Sequence, residues 1–121
     1  MASHPIVHVE ISATDPAAAS KFYHDVFGWK ITVDPNFNYH MFEAAGGPGG
    51  GWVEAPGQSK AGDVVVYIGT DDIDASLKAI EQAGGKLMMP KTEIPGIGWF
   101  AQFMDPTGNR FALYTALKPA G

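Results

Sequence analysis

The sequence predicts an α+β fold made of two βαβββ modules, and three observations support this prediction. Segments with strand and helix periodicity follow in the order strand, helix, strand, strand, strand, and that order then occurs a second time. Both helical segments begin at an aspartate that can cap a helix and stop at a glycine. The two halves also share residues when His8–Gly28 is laid on Val65–Gly85, which indicates an internal duplication.

The first strand and helix are the clearest elements. Alternation of apolar and polar residues predicts a half-buried strand over Ile6–Ile11. Thr14 or Asp15 can cap the helix that follows, Pro16 suits its first position, and Gly28 ends it. The stripe expected to pack on the sheet consists of Ala18, Ala19, Phe22, Tyr23 and Val26.

The second helix is expected over Ile73–Ala83, after the capping pair Asp71 and Asp72. Its following strand is expected to stop at Pro90, which has no N–H for a sheet ladder. The glycine-rich run Gly46–Gly51 is either a flexible loop or a strand that passes close to another group. The remaining strands are predicted over residues 30–33, 39–43, 52–54, 63–68, 86–89, 99–104 and 110–114.

The chain has 121 residues and 45% hydrophobic residues, which is enough for one core-forming domain and too short for two independent ones. We therefore treat residues 1–121 as a single domain. Its first module is expected over about 5–56, its second over about 63–117, and a polar connector over 56–62.

Charge and cysteine content exclude several classes of function. The net charge of −5 leaves no basic stripe for nucleic acid or an anionic membrane surface. The absence of cysteine excludes disulfides, thiolate metal sites and a cysteine nucleophile. No apolar stretch is long enough to span a bilayer, and the start of the chain lacks the pattern of a signal peptide. By elimination we expect a cytoplasmic location.

The candidate site follows from the geometry of the module. A βαβββ unit covers one sheet face with its helix, and two remaining faces can curve around a common cavity. Strand alternation places His8 and Glu10 on such a face, where they can bind a polar ligand or act as acid and base. As simple alternatives, the histidine can be a hydrogen-bonded strand residue and the aromatic residues can be ordinary packing or a dimer contact. The expected ligand-binding set is completed by Trp52, Tyr67, Trp99, Phe100 and Tyr114, with both tryptophans and Phe100 near the cavity mouth.

Several motifs carry a resemblance to a known family. The segment His8–Asp15, followed by Phe22-Tyr23 and Phe27-Gly28-Trp29, resembles the first strand and helix of a vicinal-oxygen-chelate module. Asp71–Ala75 and Asp105-Pro-Thr-Gly-Asn109 resemble the second module and the family's closing turn. The chain is thus similar to the glyoxalase I, bleomycin-resistance and extradiol dioxygenase superfamily over residues 5–117, and the segment 95–100 is similar to its glyoxalase-like subgroup. The resemblance implies the glyoxalase/bleomycin-resistance/dihydroxybiphenyl dioxygenase fold.

The resemblance also implies where a metal would bind. Metalloenzymes of the family use four ligands, from the first and last strand of each module, to hold nickel, zinc, iron or manganese. The matching positions here are His8, Val65, Ala112 and, less securely, Gly51. Only His8 can coordinate a metal through its side chain. We therefore expect a degenerate metal site and no metal cofactor, unless Glu54 or His40 provides a relocated ligand.

Two functions remain open on this basis. The first is a small-molecule binding protein, like the drug-sequestering members of the family, with its ligand in the cavity. The second is an enzyme, either a metal-dependent or a metal-free glyoxalase-like lyase, epimerase or dioxygenase, with His8 and Glu10 as candidate catalytic residues. A third hypothesis is that the chain is a structural module that binds no ligand and pairs with a larger enzyme. The resemblance further implies a homodimer, and the identity of the ligand stays open.

Overall fold

The computed structural model describes residues 4–55 and 60–117, so most of the predicted connector lies outside the described residues. The element order confirms the α+β prediction of two βαβββ modules. The first module contains β1 (Ile6–Ala13), α1 (Pro16–Phe27), β2 (Lys30–Asp34), β3 (Tyr39–Glu43) and β4 (Gly49–Glu54). The second contains β5 (Val64–Gly69), α2 (Ile73–Gln82), β6 (Lys86–Ile94), β7 (Gly98–Met104) and β8 (Arg110–Ala116).

Each module arranges its four strands in the same way. The spatial order is β2-β3-β4-β1 in the first and β6-β7-β8-β5 in the second. The first and last strands of each module run parallel, and the others pair antiparallel. By compactness the described residues divide into two units. One lies within residues 7–66, and the other combines residues 4–6 with residues 67–117.

The helix ends follow from their capping residues. Asp15 and Asp72 are extended at the N-cap, and their carboxylates accept from the backbone N–H of Ala18 and Ala75 respectively. Gly28 ends α1 in the left-handed region, with φ of 73°, which a residue with a side chain rarely adopts. Both predicted helices are therefore confirmed, and the second ends one residue earlier than expected.

The face that α1 turns to its sheet differs from the prediction. Ser20 is buried and Tyr23 is half-buried, whereas Phe22 and Val26 are 55% and 56% exposed. The small Ser20 can lie against the sheet because its hydroxyl donates to the Ala17 carbonyl, and Tyr23 then reaches the sheet's aromatic layer. The face of α1 that meets the sheet is therefore the one that carries Ser20 and Tyr23.

Each module has its own core on its helix-covered face. In the first, Phe42 stacks on Trp29 with ring centroids 4.5 Å apart and lies 4.9 Å from the Trp52 ring. Tyr23 brings α1 onto this layer, 5.1 Å from Trp29 and 5.8 Å from Trp52. The core of the second module is aliphatic and aromatic, and consists of Ile73, Leu77, Ala101, Phe103 and Leu113.

Strand β6 continues through Pro90, so the prediction that it ends there is wrong. The strand lies at the end of the strand order, where one side of the backbone has no ladder partner. Its pairing with β7 shifts register between Met89 and Thr92, which accommodates the missing N–H. The glycine-rich run Gly46–Gly51, left open by the sequence, enters β4 at Gly49. No helix in the described part of the chain is long and apolar enough to cross a membrane.

Candidate functional site

The helix-free face of the first module, here called the open face, carries His8 and Glu10 as predicted. Trp52 lies on the helix-covered face, because its ring stacks near Tyr23 of α1. Ile11 pairs with Trp52 across β1 and β4 and so shares that covered face. Strand alternation then turns His8 and Glu10 to the opposite side. Both side chains are half-buried.

Tyr39 joins these two residues into one hydrogen-bonded cluster. Its hydroxyl oxygen lies 2.8 Å from His8 Nε2, and the hydroxyl reaches Glu10 Oε2 at 3.4 Å. A tyrosine hydroxyl has a single hydrogen. Both contacts are satisfied together when the His8 Nε2–H donates to Tyr39 and Tyr39 donates to Glu10. The three residues then form a continuous path for a proton across the open face.

Tyr39 is not among the site residues predicted from the sequence, although one signal could have found it. Tyr39 and Met41 alternate with His40 and Phe42 along β3, and Met41 pairs with Gly51 of β4. Strand alternation therefore places Tyr39 on the same face as Glu10, which also pairs with Gly51. What the sequence does not contain is the strand order that brings β3 close to β1.

Gly51 makes room for the tyrosine ring. A Cβ at this residue would lie 2.7 Å from Tyr39 Cε2, and closer still to Cζ and the hydroxyl oxygen. Real Cβ atoms do not come so near, so any other residue at 51 would displace the ring. Gly51 also occupies the place that the family resemblance assigns to a metal ligand of the first module. In this chain the Tyr39 phenol fills the space beside Gly51 where a side chain would lie.

Burial favours the neutral form of His8. Desolvation lowers the pKa of its imidazole below the usual value of 6.5, because the cationic form loses hydration in a half-buried position. A neutral imidazole can donate from one nitrogen and accept at the other. The cluster is thus suited to hydrogen-bond a polar ligand, or to move a proton between neighbouring groups.

The residues present do not fit the four-ligand metal site of the family. Gly51 has no side chain, and Val65 and Ala112 have only apolar ones. His8 Nε2 already contacts the Tyr39 hydroxyl. Across residues 4–55 and 60–117, no group of three or more His, Cys, Asp or Glu side chains lies close enough to hold a metal ion. The relocated ligands considered above, Glu54 and His40, belong to no such group.

In the second module, Tyr67, Phe100 and Tyr114 share the face away from α2. Tyr67 is buried and pairs with Ala112, while Phe100 pairs with Tyr114. The Tyr114 hydroxyl reaches the Ile97 carbonyl at 3.4 Å, and burial raises the pKa of this phenol. These three residues keep the face expected for them, and their role in ligand binding stays a prediction.

The two tryptophans predicted to bind a ligand lie on the helix-covered faces of their modules, and their role in ligand binding stays a prediction. Trp52 is 2% exposed and belongs to the aromatic core under α1. Trp99 packs on the core of the second module, and the Lys91 ammonium lies 5.2 Å from its ring centroid. Each tryptophan lies within a strand, as predicted, and strand alternation turns its ring to the helix-covered face.

Two buried nitrogen atoms of the first module have no hydrogen-bond partner. They are Nδ1 of His40 and Nε1 of Trp52, and they are the two such side-chain atoms in the described part of the chain. Leaving a buried polar group unsatisfied costs about 1–3 kcal/mol. These residues pair directly across β3 and β4 and both line a groove of about 530 Å³ where α1 begins.

Comparisons with known proteins agree with this architecture. The family model described as "Glyoxalase/Bleomycin resistance protein/Dioxygenase superfamily" matches residues 5–113. The anthracycline biosynthesis protein DnrV of Streptomyces peucetius is 33% identical over 87% of this chain. This chain spans only 44% of DnrV. A glyoxylase-like domain-containing protein of Didymella fabae is 33% identical over 88% of this chain and 90% of its own length.

Solved structures share the fold at low sequence identity. The hypothetical protein BH1468 of Bacillus halodurans superposes with a TM-score of 0.78, at 14% identity, over 99% of both chains. Methylmalonyl-CoA epimerase of Mycobacterium tuberculosis gives a TM-score of 0.72 at 14% identity, over 93% of this chain and 88% of its own.

Proposed function

This chain belongs to the glyoxalase/bleomycin resistance protein/dioxygenase superfamily, and from that premise we propose that it binds a small molecule without the family's metal. The ligand binds on the open face of the first module, at His8, Glu10 and Tyr39. The observation that carries the proposal is the 2.8 Å contact between His8 Nε2 and the Tyr39 hydroxyl. The single metal-binding side chain among the family positions is thereby engaged by a phenol.

The chemistry of the cluster supports a polar, hydrogen-bonding ligand. Glu10 supplies acceptors, Tyr39 can donate or accept, and a neutral His8 can do either according to its tautomer. Because the cluster lies on a half-buried sheet face, hydrogen bonds formed there are stronger than the same bonds in water. On the helix-free face of the second module, Tyr67, Phe100 and Tyr114 remain proposed ligand-binding residues.

The experiment is a fragment screen read by backbone amide NMR, combined with elemental analysis of the dialysed protein. We expect hits to perturb residues around His8, Glu10 and Tyr39, and Tyr39→Phe to weaken them. Tyr23→Phe is the matched control, because it also loses a phenol hydroxyl but lies on the helix-covered face. Hits that cluster away from the open face would contradict the proposal. Near-stoichiometric nickel, zinc, iron or manganese that is lost in His8→Ala would overturn it.

An enzyme is the second candidate, and the continuous path through His8, Tyr39 and Glu10 favours one type. A carboxylate, a phenol and a neutral imidazole in contact can take a proton from an acidic C–H bond and return one, as an epimerase-like reaction or a lyase requires. The test is deuterium incorporation from D2O into simple α-substituted thioesters and α-hydroxyketones. Deuterium incorporation that is abolished by Glu10→Gln would establish this function. If neither probe class incorporates deuterium, ligand binding remains as the proposed function.

We also propose that the chain forms a homodimer and acts in the cytoplasm. The support for self-association is an apolar surface on α1, where Phe22, Val26 and Phe27 are each more than half exposed. Contiguous exposed apolar side chains of this size are typical of interaction sites. Light scattering should give the mass of two chains, and Phe22→Ser combined with Phe27→Ser should shift the protein toward one chain. A single-chain mass for the unmodified protein would count against the dimer.

A further inference from the structure

A groove where α1 begins is separate in its chemistry from the proposed site on the open face. Its walls are the first turn of α1, the segment 37–40 and the end of β4 at 52–54, and its volume is about 530 Å³. Tyr39 lines this groove and also belongs to the proposed open-face site, whereas His8 and Glu10 do not line the groove. The lining also contains both buried nitrogens that lack partners, on His40 and Trp52.

Trp52 Nε1 points to a missing hydrogen-bond acceptor, and His40 Nδ1 to a missing acceptor or donor according to its tautomer. An indole Nε1–H can only donate, so Trp52 needs an oxygen or a similar acceptor. Side-chain atoms as buried as these are nearly always paired in native proteins, and each exception calls for an explanation such as an internal water or a ligand. His40 lies directly opposite Trp52 in the β3–β4 ladder, so one bound molecule can serve both residues.

The charges around the groove restrict what that molecule can be. Asp15 and Glu54 line it, and no lysine or arginine does so. An anion would accept from Trp52 but would be repelled by the two carboxylates. A simple cation would suit the carboxylates but could not accept from the indole N–H. A neutral molecule with hydroxyl groups meets both needs, because each hydroxyl donates and accepts.

We propose that this groove is a second binding site, for a neutral, hydroxyl-bearing small molecule such as a sugar or polyol. One hydroxyl oxygen accepts from Trp52 Nε1–H, and neighbouring hydroxyls donate to Asp15 or Glu54. Both buried nitrogens are covered in the present conformation, so the ligand must move a side chain at the groove wall.

The test follows the indole N–H resonances of the three tryptophans in a 1H–15N spectrum, with Trp52 assigned by its loss in Trp52→Phe. The probes are methyl β-glucoside as the neutral hydroxyl ligand, acetate as the anion and methylammonium as the cation. We expect a saturable downfield shift of the Trp52 signal with the glucoside alone. The Trp99 signal is the internal control, because Trp99 does not line the groove. Glu54→Gln should weaken glucoside binding several-fold.

Three outcomes would overturn the proposal. One is an unshifted Trp52 signal up to the solubility limit of the glucoside. Another is an equal shift with acetate, which would contradict the charge argument. The third is a Trp52 signal that is already downfield and slow to exchange without any probe, since the N–H would then be paired within the protein or with trapped water. Trp52→Phe keeps an aromatic ring in the core, and its thermal unfolding checks that lost binding is not lost folding.

Discussion

The ring of Tyr39 lies directly over the backbone of Gly51, at a distance that leaves no space for a Cβ atom. This contact places the Tyr39 hydroxyl between His8 and Glu10 on the open face. Gly51 therefore has two consequences. It has no side chain that could bind a metal, and its lack of a Cβ leaves room for the Tyr39 ring. The first predictions test this relationship.

Gly51→Ala should destabilise the protein by about 1–3 kcal/mol, because the new methyl group overlaps the Tyr39 ring and forces it or β4 to move. Thermal or urea unfolding measures the change. Gly47→Ala is the matched control, since its Cβ would meet nothing nearer than the Ala44 carbonyl oxygen at 3.9 Å. Equal stability of the two variants would show that the ring is not held against Gly51.

Tyr39→Phe should keep the ring over Gly51 and remove only the hydroxyl that joins His8 to Glu10. We expect a loss of about 1 kcal/mol in the free energy of unfolding, the usual net value of one hydrogen bond, and weaker binding of any open-face ligand. Tyr114→Phe, whose hydroxyl makes a long 3.4 Å contact with the Ile97 carbonyl, should change stability less. If Tyr114→Phe lowers the free energy of unfolding more than Tyr39→Phe does, the hydrogen bonds of Tyr39 contribute less to stability than expected.

The pH dependence of stability should show the burial of His8. Its pKa is lower in the folded state than the usual 6.5, so the unfolded chain binds more protons as the pH falls below about 6.5. The contribution of His8 to the free energy of unfolding is therefore complete above a pH of about 6.5. It decreases as the pH falls toward the pKa of His8 in the folded state. Urea unfolding at pH 7 and pH 5 should show the decrease, and His8→Gln should reduce it. An NMR titration with the His8 midpoint at or above its value in the urea-unfolded chain would contradict this account.

Asp105 should affect stability in a different and more acidic range. Hydrogen bonds from the Asn109 backbone and side chain, and then from Thr107, lower the pKa of this exposed carboxyl to about 2. A lowered acid pKa stabilises the fold above the unfolded value, and the effect is lost as the pH falls from about 4 to about 2. Asp105→Asn should lower the melting temperature at pH 7 and flatten its change across that range. If the melting temperature of Asp105→Asn changes from pH 4 to pH 2 in parallel with that of the parent protein, Asp105 is not the source of this pH dependence.

Local signals in the sequence were sufficient for much of the fold. The bounds of α1 followed from Asp15, Pro16 and Gly28, whose preferred backbone geometries act within one or two residues of their own position. The open-face positions of His8 and Glu10 followed from strand alternation, which is equally local. The βαβββ order of both modules was predicted from hydrophobic periodicity, which is also a local signal, and it is confirmed.

What the sequence could not determine depends on contacts between segments that are distant along the chain. The rotation of α1 was decided by Tyr23 reaching Trp29 and Trp52, which no helix-periodicity argument contains. The continuation of β6 through Pro90 was decided by its place at the end of the strand order. Tyr39 became part of the candidate site because β4 lies between β1 and β3 and offers a glycine where the ring must pass. By itself, the sequence therefore determined the elements and their faces, while the tertiary structure decided which side chains meet, because strand order and packing depend on the whole chain.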